Sequence, residues 1–122
     1  MKKRVFAMLL AMAMVFSLMA CGSKDKAGGS DGDTIRLGGV GPLTGGYANY
    51  GLSVQHGAEL AAKEINAAGG VNGKMLEVQF QDSQGDPESA VAAYGKLMDW
   101  GMNVSLGAVL SGETASVVAA AK

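Results

Sequence analysis

The sequence predicts an α/β fold: three layers, with one parallel sheet and helices on both of its faces. Three observations carry this expectation. Short apolar runs alternate with longer helical patterns three times in succession. Glycines and one Asp-Pro pair mark the passages between them. Each strand-to-helix junction is rich in Gly, Ser, Thr or Asp, and those junctions lie at the carboxyl ends of the strands, where open α/β sheets bind ligands.

Residues 34–40 (TIRLGGV) alternate at their start and read as the first strand. Residues 50–68 read as the first helix, with Val54, Ala58, Ala61 and Ile65 at i, i+4, i+7 and i+11 on one face. Gly69 and Gly70 end it, because glycine takes the left-handed conformation without steric cost. Asn72-Gly73 is a turn pair. Residues 75–82 alternate cleanly, with Leu76, Val78 and Phe80 on one side, and form the second strand. Asp86-Pro87 opens the second helix with an N-cap and a proline at the first helical position. Val91, Tyr94 and Leu97 or Met98 are its expected buried face, and Gly101 ends it. Residues 104–110 form the third strand, and residues 111–114 start a third helix. That helix runs to Lys122 with no cap or turn after it, so the fold is expected to be incomplete in this chain.

Of the 122 residues, only 34–122 are assigned to this domain. Residues 1–20 read as a secretory leader: Lys2, Lys3 and Arg4 are basic, residues 5–15 are apolar, and small Ala20 stands at the cut. The apolar run is short for a membrane span, which takes about 20 residues. Cys21 is the one cysteine, so no internal disulfide is open to it. Leu18-Met19-Ala20-Cys21 resembles the bacterial lipobox, which implies lipidation at Cys21 and attachment to a membrane through the acyl chains. Each buried CH₂ of such a chain contributes about 0.8 kcal/mol. Residues 21–33 continue as Gly, Ser and charge, a flexible tether with no apolar face.

The full chain carries 10 basic and 11 acidic residues; loss of Lys2, Lys3 and Arg4 with the leader leaves 7 basic and a net charge of −4. No basic patch appears, and nucleic acid is not an expected partner. The glycine loop that follows the first strand invites a nucleotide reading, which its details oppose. Gly39 and Gly41 fit the first two places of G-x-G-x-x-G, but Thr44 stands in the third. Pro42 has no N–H to offer a pyrophosphate. Gly73-Lys74 leads into Met75 and a strand, so it is a turn and not a phosphate loop. No cofactor is expected, no cluster has metal-ligand spacing, and no serine has a histidine partner suited to nucleophilic catalysis.

Gly41-Pro42-Leu43-Thr44-Gly45 followed by Tyr50-Gly51 resembles the opening of type I periplasmic binding proteins. Gly57-Ala58-Glu59-Leu60-Ala61, the stretch 64–73 (EINAAGGVNG), Asp82-Ser83-Gln84-Gly85-Asp86-Pro87, Gly107 and Ser111 continue the match, in order, across residues 34–122. The chain is most similar to the branched-chain amino acid receptors of ABC transporters. The resemblance implies the Rossmann-like first lobe of a two-lobed, hinged binding protein, with no enzymatic chemistry. It implies a small-molecule amino acid as ligand, ABC permease subunits as partners, and a place in the cell envelope, held outside the cytoplasmic membrane by the Cys21 lipid or free in the periplasm. A sensor lobe of a signalling receptor and a dinucleotide-binding enzyme domain are the alternatives.

The resemblance also assigns residues. Ser111, at the start of the third helix, matches the serine that binds the ligand's α-carboxylate; a helix N-terminus favours an anion, although serine equally favours a plain N-cap there. Tyr50 matches a tyrosine that lines the cleft. Thr114 and Leu110 are further ligand-facing positions, and Gly112 allows close approach. Tyr47 is set aside as less well placed. Asp82 is read as loop structure, Asp86 as a cap, and Trp100 as packing. With the rest of the two-lobed fold absent, the chain alone is expected to bind poorly.

Overall fold

The computed structural model describes residues 34–122. The leader, Cys21 and the tether lie outside the described residues. The elements follow the expected order: β1 (Thr34–Gly41), α1 (Ala48–Ala67), β2 (Met75–Asp82), α2 (Pro87–Asp99), β3 (Val104–Ala108) and α3 (Ser111–Ala120). The strands form one parallel sheet in the order β2-β1-β3. Among the described residues no helix is long and apolar enough to cross a membrane.

The pleat of β1 shows why helices lie on both faces. Successive side chains of a strand point to opposite sides. A methyl group built on Gly38 would meet Met102 and Leu97, whereas one on Gly39 would meet the Phe80 ring and one on Gly41 would meet Val109. Val40, two residues from Gly38, belongs to the cluster of Ala90, Ala93, Leu97 and Val117, so α2 and α3 pack together on that face. Gly39 and Gly41 face the other layer, where α1 lies against β1 and β2.

In α1 the buried stripe is displaced from the one its apolar residues suggest, whereas α2 buries the expected Leu97 together with small residues beside it. In α1 the buried residues are Gly51 and Ala62, with Gln55, Ala58 and Asn66 half-buried between and beyond them. Val54 is 46% exposed, and Ala61 and Ile65 are also open to solvent. In α2 the small residues Ala90 and Ala93 join Leu97 against the sheet, while Tyr94 is half-buried and Met98 exposed. Alanine wins these positions because it lets the helix axis approach the sheet closely and fills the gap at native density. Complete burial of a side chain such as Leu97 contributes about 1.5–3 kcal/mol.

The junction chemistry matches the sequence. Gly69 and Gly70 have positive φ, and Gly70 N–H donates to Ile65 O at 2.9 Å. Asn72 and Gly73 both have positive φ inside a tight turn closed by mutual Val71–Lys74 backbone bonds. Asp86 caps α2 by accepting from Ser89 N at 2.8 Å, with Pro87 following it. Asn66 acts as a partner for the sheet edge: its amide accepts from Leu76 N at 2.7 Å and donates to Leu76 O at 2.8 Å. β3 ends at Ala108, short of the expected residue 110, and Gly107, at φ 86, marks a bulge within it that shifts the register to β1 after Ser105. α3 begins at Ser111, so Leu110 and not serine holds the N-cap position.

Candidate functional site

The carboxyl ends of the three strands meet in one rim, built from the loops at 41–47, 83–86 and 109–114. Asp82 ties the first two together. Its Oδ1 accepts from Leu43 N and Gln84 N, both at 2.8 Å, and from Thr44 N at 3.4 Å; its Oδ2 accepts from Thr44 Oγ1 at 2.6 Å. Gln84 takes positive φ to reach this carboxylate. Burial pushes the Asp82 carboxyl up, but the hydrogen bonds from Thr44, Gln84 and Leu43 outweigh it and hold its pKa below the ordinary value. The reading of Asp82 as a loop-organising residue agrees with this geometry.

The depressed pKa fixes a direction for acid sensitivity. The unfolded carboxyl titrates near about pH 3.9. The stability that Asp82 contributes is therefore fully present above that pH and is lost as pH falls through the lower folded value. Asp86 acts in the same sense, its pKa lowered mainly by the Ser89 N–H. We expect Asp82→Asn to narrow the gap between urea midpoints at pH 7 and pH 3. A gap unchanged from the unsubstituted protein would show that the bonds to Asp82 do not favour its ionised form.

A cavity of about 320 Å³ opens on the rim, lined by Tyr47, Gly85, Pro87, Leu110, Gly112 and Glu113. Three residues expected at the site lie on or beside it. Leu110 is half-buried and supplies apolar wall, Gly112 leaves its floor open, and Ser111 stands exposed between them. The N–H groups of Ser111 and Gly112 precede the first intrahelical bond, Thr114 N to Leu110 O at 2.9 Å, so they face outward without a helical acceptor. A helix start with unbonded N–H groups and the positive end of the helix dipole favours an anion.

Two expected residues stand differently. The Thr114 hydroxyl donates to Ala108 O and Leu110 O, each at 3.0 Å, which braces the helix start and leaves only its lone pairs for a ligand. Tyr50 is 64% exposed and does not line the cavity; Tyr47, set aside from sequence, does. The two rings are neighbours, 6.5 Å apart and tilted by 47°. α1 starts two residues earlier than its apolar pattern suggests, which brings Tyr47 to the N-cap over the rim. Sequence reasoning also missed Ser83 and Glu113, both buried and hydrogen-bonded to each other. The one local signal was an acidic residue in the first turn of a helix.

Trp100 packs beside the α2–α3 core with the Arg36 guanidinium 5.7 Å above its ring, in keeping with a structural role. No group of three or more His, Cys, Asp or Glu side chains is arranged for a metal ion among the described residues.

Comparison with known proteins gives this geometry a family. Residues 34–122 match the family model described as periplasmic binding protein. The chain is 43% identical over 82 residues to the leucine-, isoleucine-, valine-, threonine- and alanine-binding protein of Pseudomonas aeruginosa, covering 67% of this chain and 22% of that one. It is 35% identical over 100 residues to Leu/Ile/Val-binding protein homolog 1 of Brucella abortus, covering 82% and 27%. Among solved structures, the branched-chain amino acid transporter substrate-binding protein LivJ from Streptococcus pneumoniae, in complex with isoleucine, superposes with a TM-score of 0.68 at 38% identity, covering 72% of this chain and 26% of that one. A fatty acid ABC transporter substrate-binding protein from Thermomonospora curvata gives 0.62 at 33% identity, covering 82% and 25%. The chain thus spans roughly a quarter of the length of these relatives. The parallel sheet and the match over all the described residues agree: the chain belongs to the periplasmic binding protein family.

Proposed function

We propose that this chain supplies part of the ligand-binding lobe of an ABC-transporter substrate-binding protein that captures an amino acid with an apolar side chain, branched-chain by preference. The observation that carries the reading is the start of α3, where free N–H groups and the Ser111 hydroxyl lie beside the apolar wall of Leu110 at the rim. The ligand's carboxylate sits at Ser111 and Gly112. Its side chain lies against Leu110 with Tyr47 and Tyr50 above, and Thr114 holds the helix start. A second lobe grips the ammonium group and closes about a hinge, and the closed form docks on permease subunits. The names of the Pseudomonas, Brucella and Streptococcus relatives support the ligand class. The lipobox resemblance supports attachment to the cell envelope through Cys21.

The test is titration calorimetry on the product of the complete reading frame with leucine, isoleucine and valine, and with a fatty acid as the competing class. Ser111→Ala removes a hydrogen bond to a charged group, worth about 1.5–3 kcal/mol. Leucine affinity is expected to fall by about ten- to a hundredfold, with the melting temperature of the ligand-free protein little changed. Binding of the fatty acid alone would replace the amino acid reading. Mass spectrometry of the same preparation reads the modification at Cys21; an unmodified cysteine would remove the anchor. Residues 21–122 alone are expected to bind none of these ligands measurably.

A further inference from the structure

Ser83 is fully buried at the end of β2 and touches all three segments of the rim. Its N–H donates to Gly41 O at 2.9 Å, joining the end of β1, and its C=O accepts from Asp86 N at 3.0 Å, closing the turn before α2. Its hydroxyl oxygen accepts from Gly85 N at 3.4 Å, and its O–H donates to Glu113 Oε1 at 2.5 Å in the first turn of α3. Glu113 is 1% exposed, and its Oε2 accepts from Leu110 N at 3.4 Å. Leu110 has no side-chain acceptor to return that bond, so only half of a capping box exists here.

Removing a carboxylate from water is costly unless its oxygens are bonded. Among the described residues, Ser83 is the side chain that donates to Glu113 from outside its helix. The two residues stand 30 apart in sequence and connect opposite walls of one cavity. Gly85 and Pro87 line it from the β2–α2 side, and Leu110, Gly112 and Glu113 from the α3 side. The bond therefore runs between the walls and sets how far apart they stand. It also fixes the direction in which the Ser111 and Gly112 N–H groups point, because Glu113 belongs to the same helical turn.

We infer that Ser83 and Glu113 are a positioning pair for the carboxylate seat: they hold the start of α3 at the separation and angle that ligand binding requires, without themselves touching the ligand's carboxylate. The inference rests on the proposed amino acid-binding function. Loss of the Ser83 hydroxyl lets the start of α3 relax toward water, and the cost falls on carboxylate recognition more than on the apolar wall. Glu113→Gln retains a carbonyl oxygen for the Ser83 hydroxyl and keeps most of the geometry.

The test uses the complete reading-frame product, unsubstituted and as Ser83→Ala and Glu113→Gln. Each is titrated with leucine and with leucinamide, in which an amide replaces the carboxylate. Ser83→Ala is expected to weaken leucine by about tenfold, the scale of one hydrogen bond to a charged group. Leucinamide should weaken much less, so discrimination between the two ligands shrinks; Glu113→Gln should retain most of it. Equal weakening of both ligands would mean general damage and would overturn the inference, as would leucine affinity unchanged in Ser83→Ala. Should Ser83→Ala fail to fold, Ser83→Cys, a weaker donor of similar size, is read against the same outcomes. If the unsubstituted protein binds leucine and only the variants behave otherwise than expected, the positioning role alone fails. If it binds no amino acid, the function fails and the inference with it.

Discussion

Valine at position 51 is expected to cost the fold several kcal/mol and to abolish a cooperative melt near the unsubstituted temperature. Gly51 is buried in the first turn of α1, where the helix backbone rests on the glycine loop. A methyl group built there lies 1.9 Å from Pro42 O and 2.6 Å from Pro42 C, and both are backbone atoms of a buried residue. A flexible side chain could swing aside from such a contact, but backbone inside the rim cannot. Overpacking a core costs about 1–3 kcal/mol even where side chains can adjust. Here α1 must lift off the sheet, against a total stability of about 5–15 kcal/mol for a typical domain. Alanine provides a sharper control. Glycine to alanine within a helix ordinarily gains about 0.5–1 kcal/mol. Gly57, further along α1 with open space around it, should show that gain, while Gly51→Ala should lose stability. Urea melts of the complete reading-frame product decide the matter, and equal behaviour of the two alanine variants would mean that α1 does not lean on Pro42.

The contrast between Gly51 and Gly57 shows what was legible in the sequence. Element types and order were readable, because period and turn chemistry are local: Asp86-Pro87, Gly69-Gly70 and Asn72-Gly73 each act as their chemistry predicts. The buried face of α1 was not, while Leu97 in α2 was. Val54 and Ile65 belong to the apolar stripe of α1, yet both are exposed, and the residues buried are Gly51, which lies close to Gly41 and Pro42, and Ala62. Apolar periodicity reports hydrophobicity, whereas the choice of face here is decided by how near two backbones can come. The site divides along the same line. Ser111, Gly112 and Leu110 could be placed at the rim from sequence because a strand end followed by a helix start is a local pattern. Tyr47 lines the cavity and Tyr50 stands beside it, a placement set by where α1 begins, which the apolar pattern located two residues late. The Ser83–Glu113 bond joins positions with no local relation and no serine or threonine cap to mark it, so it becomes visible only when the strands are ordered β2-β1-β3.

Residues 21–122 by themselves are expected to bind leucine on the order of millimolar or weaker, and to associate with one another. Binding pockets typically enclose about 70–90% of a small ligand's surface. The rim offers an open cavity: Gly85 and Pro87 line it on the β2–α2 side, Leu110, Gly112 and Glu113 on the α3 side, with Tyr47 beside them. Among the described residues the carboxylates of the rim are committed elsewhere, Asp82 to Leu43, Thr44 and Gln84, Asp86 to Ser89, and Glu113 to Ser83 and Leu110. The carboxylate seat alone contributes a few charge-assisted bonds, and the cost of immobilising the ligand offsets most of that gain. Association has a separate cause. β3 pairs with β1 on one side only, and its neighbours leave an apolar opening of about 250 Å³ among Val40, Val54, Phe80, Leu106 and Val109. Val104, Leu106 and Val118 are each about half exposed. An unpaired edge beside exposed apolar side chains is a template for contact with another copy. Sedimentation across a concentration series should show mass rising above the monomer, and calorimetry with leucine should give no measurable heat. A monomer that binds leucine in the micromolar range would mean that this open cavity recognises the whole ligand, and the ammonium group would then need a partner among the residues of the rim.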